Sequence, residues 1–174
     1  MKISIITVCH NSAKYLESCI DSTINQSHKD IEYIVIDGAS TDGTLSLLKS
    51  KYDKLITLVS EPDDGIYDAM NKGIKVARGK FVGFCNSGDI IKKNGIKIIM
   101  KKLNQDIDIL FATVQRHYLG ATIIKSGFNL NRLRYNFDFA TSHSTGFYLK
   151  KKIHDKIGLY NLQFKCSADY DLYL

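Results

Sequence analysis

Four short, mostly apolar runs divide the first half of the chain: Ile3 to Val8, Ile31 to Ile36, Leu55 to Val59 and Phe81 to Cys85. Runs of this length, apolar without alternation, read as strands buried on both faces. Between them lie segments whose apolar residues recur at helical spacing. Leu16, Cys19, Ile20, Thr23 and Ile24 share one face of the first, with Asn11 or Ser12 as its cap. Leu45, Leu48 and Tyr52 point inward from the second, which Thr41 or Asp42 caps. Ile66, Ala69, Met70, Gly73, Ile74 and Ala77 line the third, and Gly79 is expected to stop it in the left-handed cap conformation. Strand and helix repeated three times and closed by a fourth strand call for an α/β fold, a mostly parallel sheet with right-handed crossovers and helices on both faces. Sheets of this kind bind ligands outside the carboxyl ends of their strands.

The second half is less regular. Asn94 is placed to cap a helix running through Leu103, residues 107 to 114 and 121 to 124 read as strands, and residues 126 to 144 read as a polar-aromatic loop. Residues 145 to 149 form another short strand, and a helix begins at Ser167. Neither a repeat nor a low-complexity linker interrupts the 174 residues, so residues 1–174 are expected to form a single domain.

Charge is divided unevenly along the chain. Residues 1–91 hold 10 Lys/Arg against 12 Asp/Glu, and residues 92–174 hold 14 against 6, within a total of +6. The acidic first half and basic second half suit an anionic partner, a phosphorylated substrate or a membrane surface. Nucleic acid is disfavoured, because the lysines fall on helical faces without interleaved aromatics. The four cysteines (Cys9, Cys19, Cys85, Cys166) form no C-x-x-C pair and read as reduced core thiols. His10, His28, His117 and His154 carry no supporting pattern and read as surface or turn residues. No apolar run reaches the ~18 residues of a membrane span, and the N-terminus lacks a secretory signal. The expected location is the cytoplasm, with peripheral association at the inner face of the cell membrane.

The predicted strand ends or exits carry Asp37, Asp63, Asp64 and Asp89. The glycine fingerprint G-x-G-x-x-G is missing after the first strand, where Cys9-His10-Asn11-Ser12 stands instead, and the chain has no G-x-x-x-x-G-K-[ST] string. A dinucleotide oxidoreductase is disfavoured on that ground. An edge lined with carboxylates repels a phosphate unless a hard divalent cation, magnesium or manganese, mediates between them.

The strings "SIITVCHNSAKYLESCIDSTINQ", "EYIVIDGASTDGT", "EPDDGIYDAMNKGIKVARGKFVGFCNSGD" and "SADYDLYL" resemble glycosyltransferase family 2, the inverting transferases of GT-A fold, whose sheet is Rossmann-like. The resemblance implies a nucleotide-sugar donor, usually a UDP-sugar, held by a nucleotide-sugar-binding half (1–91), and an acceptor-side half (92–174). It places Thr7 and Asn11 near the base and ribose, Asp37 on the uracil, Asp64 near the base, and Ser87 among the nucleotide contacts. Asp89 matches the end of the metal-binding D-x-D motif. Here that motif reads Ser87-Gly88-Asp89, leaving one strong ligand for Mn or Mg.

By the same resemblance the general base is Asp169 in "SADYDLYL", where Ala168 stands for the family's Glu. Asp171, about 200° around the helix, is its rival. His143 lies where relatives carry a histidine near the diphosphate or acceptor. The expected function is transfer of a sugar from a nucleotide diphosphate donor to a hydroxyl acceptor, glycan or lipid-linked, in cell-surface polysaccharide or glycolipid assembly. The alternative is a non-catalytic nucleotide-sugar binding domain. Family members usually continue beyond the helix that carries the base, so the chain is expected to be truncated at its C-terminus.

Overall fold

The computed structural model describes residues 1–103, 106–125 and 144–173. A six-stranded sheet runs through it in the order β3-β2-β1-β4-β8-β5. The strands are β1 (Ile3–Cys9), β2 (Ile31–Asp37), β3 (Thr57–Ser60), β4 (Phe81–Phe84), β5 (Ile109–Phe111) and β8 (Phe147–Lys150). The first four are parallel, with Ile3 opposite both Ile31 and Phe81. β8 enters antiparallel between β4 and β5. β6 (Val114–Tyr118) and β7 (Ala121–Lys125) make a separate antiparallel hairpin.

Successive residues of a strand face opposite sides, and β1 shows what each side meets. Ile3 and Ile5 belong to a core with Leu16, Cys19 and Ile20 of α1 (Ala13–Ile24), Leu48 and Tyr52, and Ile96 and Ile99 of α4 (Gly95–Leu103). Ile6 and Val8 belong to a second core with Ala69, Met70 and Ile74 of α3 (Ile66–Val76), together with Tyr160 and Ala168. The sheet is thus covered on both faces, as the uninterrupted apolar runs require. Helix α2 (Thr44–Leu47) makes one α-helical turn and continues as a π-helical segment, Leu48–Tyr52, which keeps Leu48 and Tyr52 buried while Leu45 is only half-buried.

Several local expectations are corrected. Gly79 is not left-handed, and α3 ends at Ala77 in extended backbone. Glycine is needed there because a Cβ would lie 2.5 Å from the Ser4 backbone nitrogen, where the chain passes β1. The expected strand 107–114 is two strands, β5 and the start of β6. A helix absent from the sequence reading, α5 (Lys151–Ile157), follows β8, and α6 (Ala168–Tyr173) follows it. His154 on α5 is buried rather than superficial, and burial holds its imidazole below the ordinary range. Cys9, Cys19 and Cys85 are buried free thiols, but Cys166 is exposed. Among the described residues no helix is long and apolar enough to cross a membrane.

Candidate active site

Strand order reverses on either side of β1, so the carboxyl ends of β1, β2 and β4 open the crevice in which such sheets bind ligands. Because β8 is antiparallel, the turn before it (Ser144–Gly146) reaches the same edge. The first turn of α3, entered from the carboxyl end of β3, lies there too.

The turns after β1 and β2 are laced together. The Asn11 N–H donates to Ser40 Oγ (2.8 Å), and the Thr41 N–H donates to Asn11 Oδ1 (2.8 Å). Asn11 takes a φ of +48° to do so, a conformation asparagine tolerates better than most side chains. Ser12 precedes α1 but makes no side-chain cap. Asp42 instead accepts from the Ala13 N–H at 3.1 Å and from the Thr44 N–H at 3.0 Å, covering a donor at each helix start. His10, an exposed turn residue as expected, donates from Nδ1 to the Gly38 carbonyl (2.8 Å), while its Nε2 accepts from Asn11 Nδ2 (3.1 Å). No periodicity or motif marks His10; only the pairing of β1 with β2 reveals its place.

Asp37 ends β2 and is fully buried. Its Oδ2 accepts from Ser60 Oγ (2.7 Å) and from the Ser40 N–H (3.2 Å), and the Cys9 thiol lies 3.9 Å from Oδ1. Burial first, and then Asp37, push the Cys9 thiol up. Thr7 is also fully buried, on the α1 side. Its hydroxyl donates to the Cys85 carbonyl at 2.5 Å and lies 2.9 Å from Tyr33 Oη. The Thr7 side chain is therefore a core group two residues inside the carboxyl end of β1.

The loop after β4 carries the other candidates. Gly88 at φ +95° closes a turn in which the Asp89 N–H donates to the Asn86 carbonyl (2.9 Å). Ser87 Oγ accepts from Ser12 Oγ (3.2 Å). Half-buried Asp89 accepts from Thr145 Oγ1, and Asn86 Nδ2 donates to Ser144 Oγ (2.8 Å). Asn86 Oδ1 is buried and has no hydrogen-bond partner among the described residues. No three His, Cys, Asp or Glu side chains cluster as a metal site among those residues. One carboxylate, an unsatisfied amide oxygen and nearby hydroxyls are nevertheless hard oxygen donors of the kind magnesium and manganese take when a ligand's phosphate oxygens complete the shell. The residues fit such a cation as a partial site.

Asp63 accepts from the Gly65 N–H (2.9 Å), whereas Asp64 is exposed and lines a small cleft with Tyr67, Leu162, Phe164 and Lys165. Asp169, in the first turn of α6, is 8% exposed and accepts from Tyr67 Oη at 3.1 Å. Its rival Asp171 is exposed. Burial, followed by the charge of Asp169, pushes the Tyr67 phenol up to about 12. His143 lies outside the described residues. The structure thus brings Asn11, Asp37, Ser87, Asp89 and Asp169 to one sheet edge, with Asp64 at the adjoining cleft. The supporting groups Thr145, Asn86 and Tyr67 have no sequence signal, because each acts across more than 50 residues.

A family model described as "Glycosyl transferase family 2" matches residues 4–166. Chondroitin synthase of Pasteurella multocida (strain Pm70) is 25% identical over 99% of the chain and 18% of its own length. A PGL/p-HBAD biosynthesis glycosyltransferase of Mycobacterium bovis is 28% identical over 97% of the chain and 66% of its own. Among solved structures, S. aureus TarS 1–349 in complex with UDP superposes with a TM-score of 0.81 at 25% identity, over 99% of the chain and 54% of TarS 1–349. The same protein has been solved with UDP-GlcNAc. The chain therefore spans less than two thirds of the relatives it matches, and its fold is GT-A.

Proposed function

The chain belongs to glycosyl transferase family 2, and from that premise we propose that it is an inverting glycosyltransferase. It moves a sugar from a nucleotide diphosphate donor, a UDP-sugar, to a hydroxyl of a glycan or lipid-linked acceptor in surface polysaccharide or glycolipid assembly. The observation that carries this reading is the gathering of the Asp37, Asp89 and Asp169 segments at the carboxyl edge of one parallel sheet. Chondroitin synthase, the PGL/p-HBAD enzyme and the UDP complex of TarS support the polymer, glycolipid and donor classes respectively.

In this reading the laced turns of Asn11 and Asp37 hold the uridine. Thr7 supports them from the core, Ser87 contacts the nucleotide, and Asp64 approaches the donor from its cleft. Asp89, with Asn86 and the donor's phosphate oxygens, would hold magnesium or manganese, which neutralises charge on the departing diphosphate. His143, on the segment just before Ser144, is assigned to the diphosphate or acceptor.

Asp169 is the general base. Its carboxylate takes the proton as the acceptor oxygen bonds to the anomeric carbon from the face opposite the diphosphate. The bond from that carbon to the phosphate oxygen breaks, and the nucleoside diphosphate leaves with the electron pair. A basic second half suits anionic acceptors or a membrane surface.

The test is UDP release from a panel of UDP-sugars with Mn2+. Asp169→Asn is expected to lower turnover about 10²- to 10⁴-fold and to leave UDP binding intact. Unchanged turnover in that variant would remove Asp169 from the chemistry.

A further inference from the structure

The hydrogen bond from Tyr67 to Asp169 joins positions 102 residues apart. Tyr67 is the second residue of α3, and its ring lies 5.3 Å from that of Tyr160, with the planes inclined at 36°. Asn71, one helical turn further along α3, holds Tyr160 by a reciprocal pair. The Tyr160 N–H donates to Asn71 Oδ1 and Asn71 Nδ2 donates to the Tyr160 carbonyl, both at 2.9 Å. Residues four apart share a helix face, so one face of α3 both clamps the chain at residue 160 and reaches the carboxylate at 169.

The two phenols differ. Tyr160 is 3% exposed, and its hydroxyl has no hydrogen-bond partner among the described residues. The Tyr67 hydroxyl meets Asp169 Oδ1. Its elevation to about 12 arises from burial first and from Asp169 second, against the opposing influence of the Asp169 and Ala168 backbone groups. At neutral pH such a phenol stays protonated and can only donate to the carboxylate. A half-buried donor held on a packed helix face, 3.1 Å from Asp169 Oδ1, sets both where the acid sits and which oxygen is engaged.

We propose that Tyr67 is the positioning residue for Asp169, orienting the carboxylate for proton abstraction. This rests on the reading of Asp169 as base. The donor-binding half thereby sets the geometry of a group supplied by the acceptor half.

The experiment compares Tyr67→Phe, Tyr160→Phe and Asp169→Asn by UDP release from UDP-GlcNAc and other UDP-sugars with Mn2+, alongside UDP titration. Tyr67→Phe keeps the ring packing and removes one hydrogen bond to a charged group. We expect its kcat to fall about 10- to 100-fold, with donor KM and UDP affinity unchanged. Tyr160→Phe, which deletes the phenol without a partner, is expected to keep the parent kcat. The proposal is overturned if Tyr67→Phe retains kcat, if it changes only donor KM, or if Tyr160→Phe loses as much. The reading of Asp169 fails separately, if Asp169→Asn turns over like the parent or the unaltered chain releases no UDP.

Discussion

Residues 1–91 and residues 92–174 build their shares of the site by opposite means. In the first half the site residues stand at or just beyond the carboxyl ends of parallel strands, β1 pairing with both β2 and β4. In the second half the contributing residues reach the edge by long-range insertion. β8 slots antiparallel beside β4, Thr145 reaches Asp89, and α6 brings Asp169 to Tyr67. The first half is a scaffold in which the crevice follows from strand order. The second is a set of attachments that join the strand ladder and the apolar cores and meet the site through a few polar contacts to groups of the first. The contrast implies that substitutions in the first half damage folding and donor binding together, whereas those at the joints separate binding from turnover.

The largest stability effect is expected at Asp37. Asp37→Ala removes a buried carboxylate and leaves the Ser60 hydroxyl and the half-buried Ser40 N–H without their acceptor, at a cost of about 2–4 kcal/mol. A drop of several degrees in melting temperature, together with lost UDP binding, would fit the scaffold role. An unshifted melting temperature would break the comparison.

Asn71 sits at a joint. Asn71→Ala removes both bonds to Tyr160 and should cost about 1–3 kcal/mol. Calorimetry should then find UDP affinity preserved while turnover falls. Loss of UDP affinity in this variant would mean that the joint also shapes the donor pocket.

Legibility followed the same division. The four parallel strands and three helices were readable because each buries an apolar face, and periodicity encodes burial. Their carboxyl edge, with Asn11, Asp37 and Asp89, followed from topology. The chain's resemblance to its family supplied Asp169. Tyr67 was not readable, since a tyrosine on the first turn of a helix looks the same whether it meets solvent or a carboxylate 102 positions away. Nor was α5: His154, polar by type, is buried there, and Lys150, at the end of β8 just before it, is buried and satisfied by Asp108 at 2.7 Å. Thr7 shows how a motif position can sit off the surface: the alternation of β1 turns its side chain to the core.

His154 offers a pH test confined to the second half. Its buried ring nitrogens have no hydrogen-bond partners among the described residues, and burial lowers its affinity for protons. The unfolded chain binds the proton more readily, so stability is full above pH ~6.5 and declines as pH falls toward the lower folded value. Denaturant midpoints at pH 7.5 and pH 5 should differ less in His154→Leu than in the parent; an equal difference would exclude His154 as the source. The smallest effect belongs to Lys51, whose exposed ion pairs with Glu17 and Asp21 lie on the scaffold surface. Lys51→Ala should leave the melting temperature within about a degree of the parent.

In the proposed function the acidic edge accepts a nucleoside diphosphate through Asp89 and a divalent cation. Calorimetric titration of UDP into the parent and Asp89→Ala proteins, each with and without Mn2+, tests it most directly. Mn2+ is expected to strengthen binding at least about tenfold in the parent, a difference of about 1.4 kcal/mol, and to have no such effect in Asp89→Ala. UDP binding indifferent to both the metal and the substitution would contradict it.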